Sequence, residues 1–240
     1  STAALRAIRE KFSYENFKIS FLIGEESKDI LLRSPYIDEL LVCDLKHKDK
    51  GLKGLWGIGR ILRKKGFDIV IDLQNSRVSH ILSFLSGCIN RYGYDNKKFS
   101  FLLNHSIKND LPLMDPVTHQ FRVLKMLGID LLDSSLELWP SVEDAKHVED
   151  LLNAQWLSDA QKIVGINISA SKRWSTKLWP REYLMQLCVE LGFRDIRVVI
   201  TGTADDLVYA NMLINSLKNT KIINACGKTT VNELAVLIKK

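Results

Sequence analysis

The densest run of groups able to do chemistry is Asn167-Ile168-Ser169-Ala170-Ser171-Lys172-Arg173-Trp174-Ser175-Thr176-Lys177-Leu178-Trp179-Pro180, set between an apolar, strand-like stretch and a helical one. Small hydroxyl residues let backbone N–H groups come close to a phosphate, the helix N-terminus behind them adds a favourable dipole, and a lysine supplies a point charge. The loop is built like a diphosphate site, with a merely basic loop as the plainer reading. Trp179 as a packing anchor and Pro180 at the first helical turn are ordinary structural devices. A second concentration is purely electrostatic. Between Lys46 and Lys108 stand thirteen Lys and Arg against four acids, Asp49, Asp68, Asp72 and Asp95, an excess larger than the whole chain's formal +6. A localised cationic surface calls for an anionic partner: nucleic acid, an acidic membrane surface, or a phosphorylated or carboxylated substrate. A solvated lysine-rich face is the alternative.

What is missing narrows the chemistry. No Walker loop, GxGxxG, HExxH or GxSxG occurs, which removes the common nucleotide, metalloprotease and serine-hydrolase signals. His47, His80, His105, His119 and His147 show no metal-ligand spacing, so no metal site is expected. Cys43, Cys88, Cys188 and Cys226 are far apart, lie in apolar stretches and form no CxxC pair. They read as buried reduced thiols, which favours the cytosol. No run of about 18 apolar residues could span a bilayer and no signal peptide opens the chain.

These groups must be positioned by elements whose order is legible in the apolar pattern. The 240 residues suit two modest domains of about 100–150 residues each. The first residues read as a helix already under way, with Leu5, Ile8 and Phe12 on one side. Strands are expected at Lys18–Gly24, Glu39–Asp44, Phe67–Leu73 and Ile89–Tyr94, and helices at Ser27–Arg33, Lys53–Lys65, Ser76–Ser86 and Pro116–Leu127. Phe67–Leu73 is apolar enough for a strand buried on both faces. After a polar segment centred on Pro140 the alternation resumes: helix Val142–Trp156, buried strand Lys162–Ile168, helix Arg181–Leu191 closed by Gly192, strand Arg197–Thr201, helix Asp205–Leu217, strand Lys221–Ala225 and helix Val231–Lys240. Two βαβ series joined near residue 140 predict an α/β chain of two Rossmann-like domains with parallel sheets, 1–140 and 141–240. In such sheets ligands sit at the carboxyl ends of the strands, so the loops after Ile168, Thr201 and Ala225 are the places to look.

The motifs, taken in order, resemble one family. The strand ending near Asn167, the small residues at 169–171, Lys177-x-Trp179-Pro180 opening a helix, Thr201-Gly202 with acids just after, and Gly227-Lys228-Thr229 before an apolar helix resemble the glycosyltransferase family 9 heptosyltransferases. So do Ala3-Leu5-Arg6, Ser34-Pro35-Tyr36-Ile37-Asp38-Glu39, Phe67-Asp68-Ile69-Val70-Ile71-Asp72-Leu73-Gln74 and Asn90-Arg91-Tyr92-Gly93-Tyr94 in the first half.

The resemblance implies a GT-B fold, with the acceptor on the first domain and the nucleotide-sugar donor on the second. It implies an inverting transfer of heptose from ADP-heptose to the lipopolysaccharide inner core, without an obligatory metal or other cofactor. By position, Lys177 would contact the donor phosphates and stabilise the departing ADP, with Ser169 and Ser171 donating hydrogen bonds to the same phosphates. Asp206 would hold the ribose hydroxyls, or else serve as a first-turn acid complementing a helix dipole. Thr229 and Thr230 would lie near the adenine, although capping the last helix explains one of them equally well. Arg60, Arg63 and Lys64, on one helical arc, would face the carboxylates and phosphates of the acceptor, the alternative being a solvated helix side. Asp72 is expected to order the loop after it. The family's Gly-Asp loop, whose Asp is the expected general base, would fall before Ser1, and its Asp-Ser-Gly-x-x-His element beyond Lys240. A fragment cut at both ends and inactive alone is thus expected. Its setting would be cytoplasmic, peripheral at the inner face of the inner membrane, touching a lipid-linked anion and no nucleic acid. The reading from another class is a non-catalytic Rossmann-type protein that binds a nucleotide or polyanion.

Overall fold

The computed structural model of the chain describes residues 1–110, 114–153, 162–170, 175–217 and 222–240, so Ser171 lies outside the described residues. The chain divides into two compact units, Ser1–Leu138 and Trp139–Lys240.

In unit 1, α1 (Thr2–Lys11) begins on Ser1, whose hydroxyl accepts the Ala4 N–H. Its Leu5 and Ile8 are buried, as their spacing predicts. β1 (Ser20–Gly24) pairs in parallel with β2 (Glu39–Cys43), and the short α2 (Lys28–Leu31) lies between them in sequence. α3 (Gly51–Lys65) stops at Gly66, which takes φ +65, a left-handed value where a Cβ is strained. Then follow β3 (Ile69–Ile71), α4 (Arg77–Leu85), β4 (Asn90–Asp95), β5 (His105–Lys108) and α5 (Pro116–Leu124), with β3-β4-β5 a parallel sheet in that order. Ile19 and Leu22, three apart and so on opposite faces of the extended chain, join different cores. Ile19 goes with α1 and α5 through Ala4, Ile8, Phe121 and Leu124, whereas Leu22 goes with α3 and α4 through Ile58, Leu62 and Leu82.

Two expectations need correction here. The strand expected at Phe67–Leu73 forms a ladder over only three residues and is half-buried, because β3 is hydrogen-bonded along one side alone. β5 was not expected at all. His105-Ser106-Ile107-Lys108 is an outer strand in which half-buried and exposed residues alternate, so no apolar run marks it.

Unit 2 comprises α6 (Val142–Asn153), β6 (Ile163–Asn167), α7 (Arg181–Phe193), β7 (Arg197–Thr201), α8 (Leu207–Ser216), β8 (Ile222–Asn224) and α9 (Val231–Lys239). Its sheet is parallel in the order β6-β7-β8. β7 shows the two-residue period most clearly. Val198 and Ile200 pack with Leu184, Cys188 and Leu213 of α7 and α8, while Val199 packs with Val148 and Leu237 of α6 and α9. β7 is therefore the buried strand, and β6, expected to be buried, is half-exposed at the side of the sheet. α7 also continues through Gly192. The chain turns only at Asp195, φ +54, so that glycine is not the stop it resembles. All four cysteines are buried and unpaired, as their apolar settings predict. Among the described residues no helix is long and apolar enough to cross a membrane.

Candidate functional site

The strands of unit 2 end at Asn167, Thr201 and Asn224, and the three loops beyond them are tied to one another. Asn167 Oδ1 accepts the Ser169 N–H at 2.8 Å, turning the chain sharply off β6. The Ile168 N–H donates to the Thr201 carbonyl at 3.0 Å, and the Gly227 N–H to the Gly202 carbonyl at 3.0 Å. Gly227 has φ +65, and a Cβ there would stand 2.8 Å from Ala204 Cα, so only glycine lets the loops after β7 and β8 close.

The expected donor residues among the described ones, Ser169, Lys177, Asp206, Thr229 and Thr230, lie on the loops that leave this edge, several of them already engaged. Asp206 Oδ2 accepts the Thr203 N–H at 2.7 Å and the Thr203 hydroxyl at 2.6 Å, closing a capping box ahead of α8. Thr230 caps α9: its hydroxyl accepts the Glu233 N–H, and the Glu233 carboxylate accepts the Thr230 N–H at 2.6 Å. Thr229, just before it, is half-buried. Lys177 ends the 3-10 turn Ser175–Lys177 on the β6–α7 connection and is exposed. α7 starts on Pro180, which offers no side-chain acceptor, so its first-turn N–H groups have no cap from that residue. An anion placed at that helix start would meet the first-turn amides and the helix dipole, with Lys177 three residues before Pro180 in sequence. Beside Asp206, burial and then the aspartate's charge push the Cys226 thiol up to about 11, which leaves it protonated and poorly nucleophilic.

In unit 1 the expected acceptor residues stand elsewhere. A helix following a parallel strand runs back towards the amino ends of the strands. Arg60, Arg63 and Lys64 occupy the last turns of α3. Arg63 lines a groove of ≈ 350 Å³ with Phe84, Gly87 and Ile89, just ahead of β4, and Lys65 pairs with Glu39, the first residue of β2. All three cations therefore lie at the amino edge of the strands, opposite the edge where parallel sheets bind ligands.

The carboxyl edge of unit 1 holds a different arrangement. Asp72 Oδ1 accepts the N–H groups of Gln74 and Asn75 at 3.0 and 3.1 Å, so Asp72 does order its loop. His80 Nδ1 lies 2.9 Å from the Lys98 carbonyl, which can only accept, so that nitrogen carries a proton. Nε2 faces Asp72 Oδ2 at 3.6 Å, with both side chains buried. Asn96 donates to the Asn75 carbonyl at 2.9 Å, locking the loops after β3 and β4 together. Exposed cations ride on this edge: Lys46, Lys48 and Lys50 after β2, and Lys97 and Lys98 after β4. Sequence reasoning counted these lysines in the basic stretch without separating them from Arg60, Arg63 and Lys64. Their position directly after apolar strands was the signal that could have done so.

Comparison with known proteins bears on both units. Residues 55–240 match the model of glycosyltransferase family 9 (heptosyltransferase). Lipopolysaccharide heptosyltransferase 2 of Escherichia coli is 21% identical over 224 residues, covering 88% of this chain and 63% of that protein. The chain thus spans less than two thirds of that relative's length. The crystal structure of a glycosyltransferase family 9 protein from Veillonella parvula superposes with a TM-score of 0.88 at 24% identity, over 98% of this chain and 67% of the other. An E. coli heptosyltransferase solved with ADP gives a TM-score of 0.70 at 16% identity, over 99% of this chain and 72% of that one. The α/β fold with its parallel sheets is the GT-B fold of these transferases. Since the family match takes in the whole of unit 2 and unit 1 from the first turns of α3 onward, the chain belongs to glycosyltransferase family 9.

Proposed function

We propose that the full-length protein is an inverting glycosyltransferase that moves a heptose from ADP-heptose to the lipopolysaccharide inner core. One observation carries this reading: the loops after β6, β7 and β8 converge on one edge of unit 2, next to a helix start without a side-chain cap and with Lys177 ahead of it. The neighbour solved with ADP supports the choice of nucleotide.

In this reading the diphosphate sits at the start of α7. Lys177 and the first-turn amides oppose the charge that grows on the leaving ADP, so the step invokes no metal and no other cofactor. Ser169 and Ser171 donate hydrogen bonds to the phosphates. Asp206, fixed by Thr203, takes the ribose hydroxyls, and Thr229 lies by the adenine at the turn that Thr230 caps. The anionic acceptor is met by the lysines at the carboxyl edge of unit 1, Lys46, Lys48, Lys50, Lys97 and Lys98. A lipid-linked acceptor places the protein in the cytoplasm, peripheral to the inner face of the inner membrane.

Isothermal titration with ADP, UDP and GDP tests the donor. ADP is expected to bind at least tenfold more tightly than the other two, and equal affinities or a preference for UDP would overturn the assignment.

A further inference from the structure

α3 buries Ile58, Gly59 and Leu62 and should turn only polar groups outward, as a surface helix does. It does not. Leu52 is 85% and Trp56 63% exposed, set among the exposed cations Lys53, Arg60, Arg63 and Lys64. The same mixture continues onto α4. A Cβ on Gly59 would stand 2.6 Å from Leu85 Cβ, so the two helices touch, and next to that contact Phe84 is 52% and Ile89 76% exposed. The Arg91 guanidinium lies 5.8 Å from the Phe84 ring. Neither α3 nor α4 contains an acidic residue. Helix-dipole complementation accounts for Arg63, Lys64 and Lys65 in the last turn of α3, but not for Lys53, Arg60 or the outward Trp56 and Leu52.

Cations interleaved with tryptophan and aliphatic side chains, without acids, complement an anionic bilayer surface: the apolar groups enter the headgroup boundary and the cations meet the lipid phosphates. Nucleic acid fits less well, because Leu52 and Ile89 offer no ring on which a base can stack. We propose that the outer face of the α3–α4 layer docks unit 1 on an anionic lipid bilayer, with Trp56 and Phe84 as anchors and Arg60, Arg63 and Lys64 as headgroup contacts. Its purpose rests on the lipid-linked acceptor proposed above; its evidence does not.

Flotation with vesicles of phosphatidylglycerol and phosphatidylcholine tests it. The chain is expected to float with these vesicles, and to be released by salt and by replacing the anionic lipid with neutral phosphatidylcholine. The double variant Trp56→Ser, Phe84→Ser leaves the charge unchanged and should lower the partition coefficient about tenfold. Because both side chains are exposed, an unchanged circular dichroism melt verifies the fold. In a second measurement, brominated lipids should quench wild-type fluorescence more than that of Trp56→Phe. No flotation, flotation indifferent to lipid charge, a double variant that partitions like wild type, or oligonucleotide binding in place of vesicle binding would each overturn the proposal. ADP titration reads unit 2 independently. A chain that floats but ignores ADP keeps this surface and loses the transferase reading, and one that binds ADP but does not float does the reverse.

Discussion

Both units end their parallel strands in polar loops, but they hold those loops in opposite ways. In unit 1 the organising groups are buried: Asp72 and His80 face each other with almost no exposure, and the loops after β3 and β4 are fastened from beneath. In unit 2 they are at the surface. Asp206 and Thr230 close capping boxes within reach of solvent, and two close-set glycines bring the loops together. A buried carboxylate that gives one oxygen to two loop amides and turns the other towards a buried imidazole is closed off from solvent, and so from a ligand. A surface cap can hold a loop in shape while the rest of that loop contacts one. Unit 1 therefore presents a fastened platform under exposed lysines, and unit 2 a shaped rim.

The largest effect should come from cutting the buried fastening. Asp72→Ala removes the acceptor of two backbone N–H groups and leaves a void beside His80 in the core, which should cost about 2–5 kcal/mol. Urea unfolding followed on unit 1 would show it, while ADP affinity, which the proposed function assigns to unit 2, should be unchanged. A variant as stable as wild type would mean that the pair fastens nothing. Next comes Lys177→Ala in the full-length protein. An exposed lysine contributes little to stability, so the melt should stay put while turnover falls about 100- to 1000-fold. Unchanged kinetics would remove Lys177 from the phosphate role and with it the contrast between the two edges.

Arg60→Gln with Arg63→Gln sharpens the comparison from the other side. Lying at the amino edge, they should leave the KM for a soluble, deacylated acceptor unchanged, whereas Lys97→Gln with Lys98→Gln should raise it about tenfold. The opposite pattern would return the acceptor to α3.

Much of this was legible before the structure. The helices of the first half and the strands of the second were marked by their apolar period, and two of those helices run into glycines, Gly66 and Gly128, that take positive φ. Family motifs named Lys177, Ser169 and Asp206, all of which lie on the loops that follow the unit 2 strands. What stayed hidden depends on topology. Nothing in Arg60, Arg63 and Lys64 says which edge of the sheet they reach until α3 is known to run back to the amino ends. His80 lies eight residues from Asp72 across a strand end and a helix turn, a spacing that no motif records. Strand β5, with its alternating half-buried and exposed residues, carries no apolar run to announce it.

The smallest effect probes how Asp206 combines two duties, capping and charge. The folded-state pKa of Cys226 stands at about 11 against an ordinary 9.0, raised by burial first and by Asp206 second. A raised thiol pKa means that the folded chain holds the proton more tightly than the unfolded one. The corresponding stability is complete below pH 9 and is lost as pH climbs towards 11. Asp206→Asn keeps an oxygen for the Thr203 N–H, so the cap should survive with a loss of no more than about 1 kcal/mol. It removes the charge, so the alkaline onset of Cys226 alkylation should move down towards 9.0, burial keeping it above that value. If the onset does not move while ADP affinity falls, the carboxylate serves the ligand and not the thiol's surroundings. If neither changes and only the melt drops, Asp206 is a cap alone, and unit 2 would hold its edge as unit 1 does, with groups spent on structure.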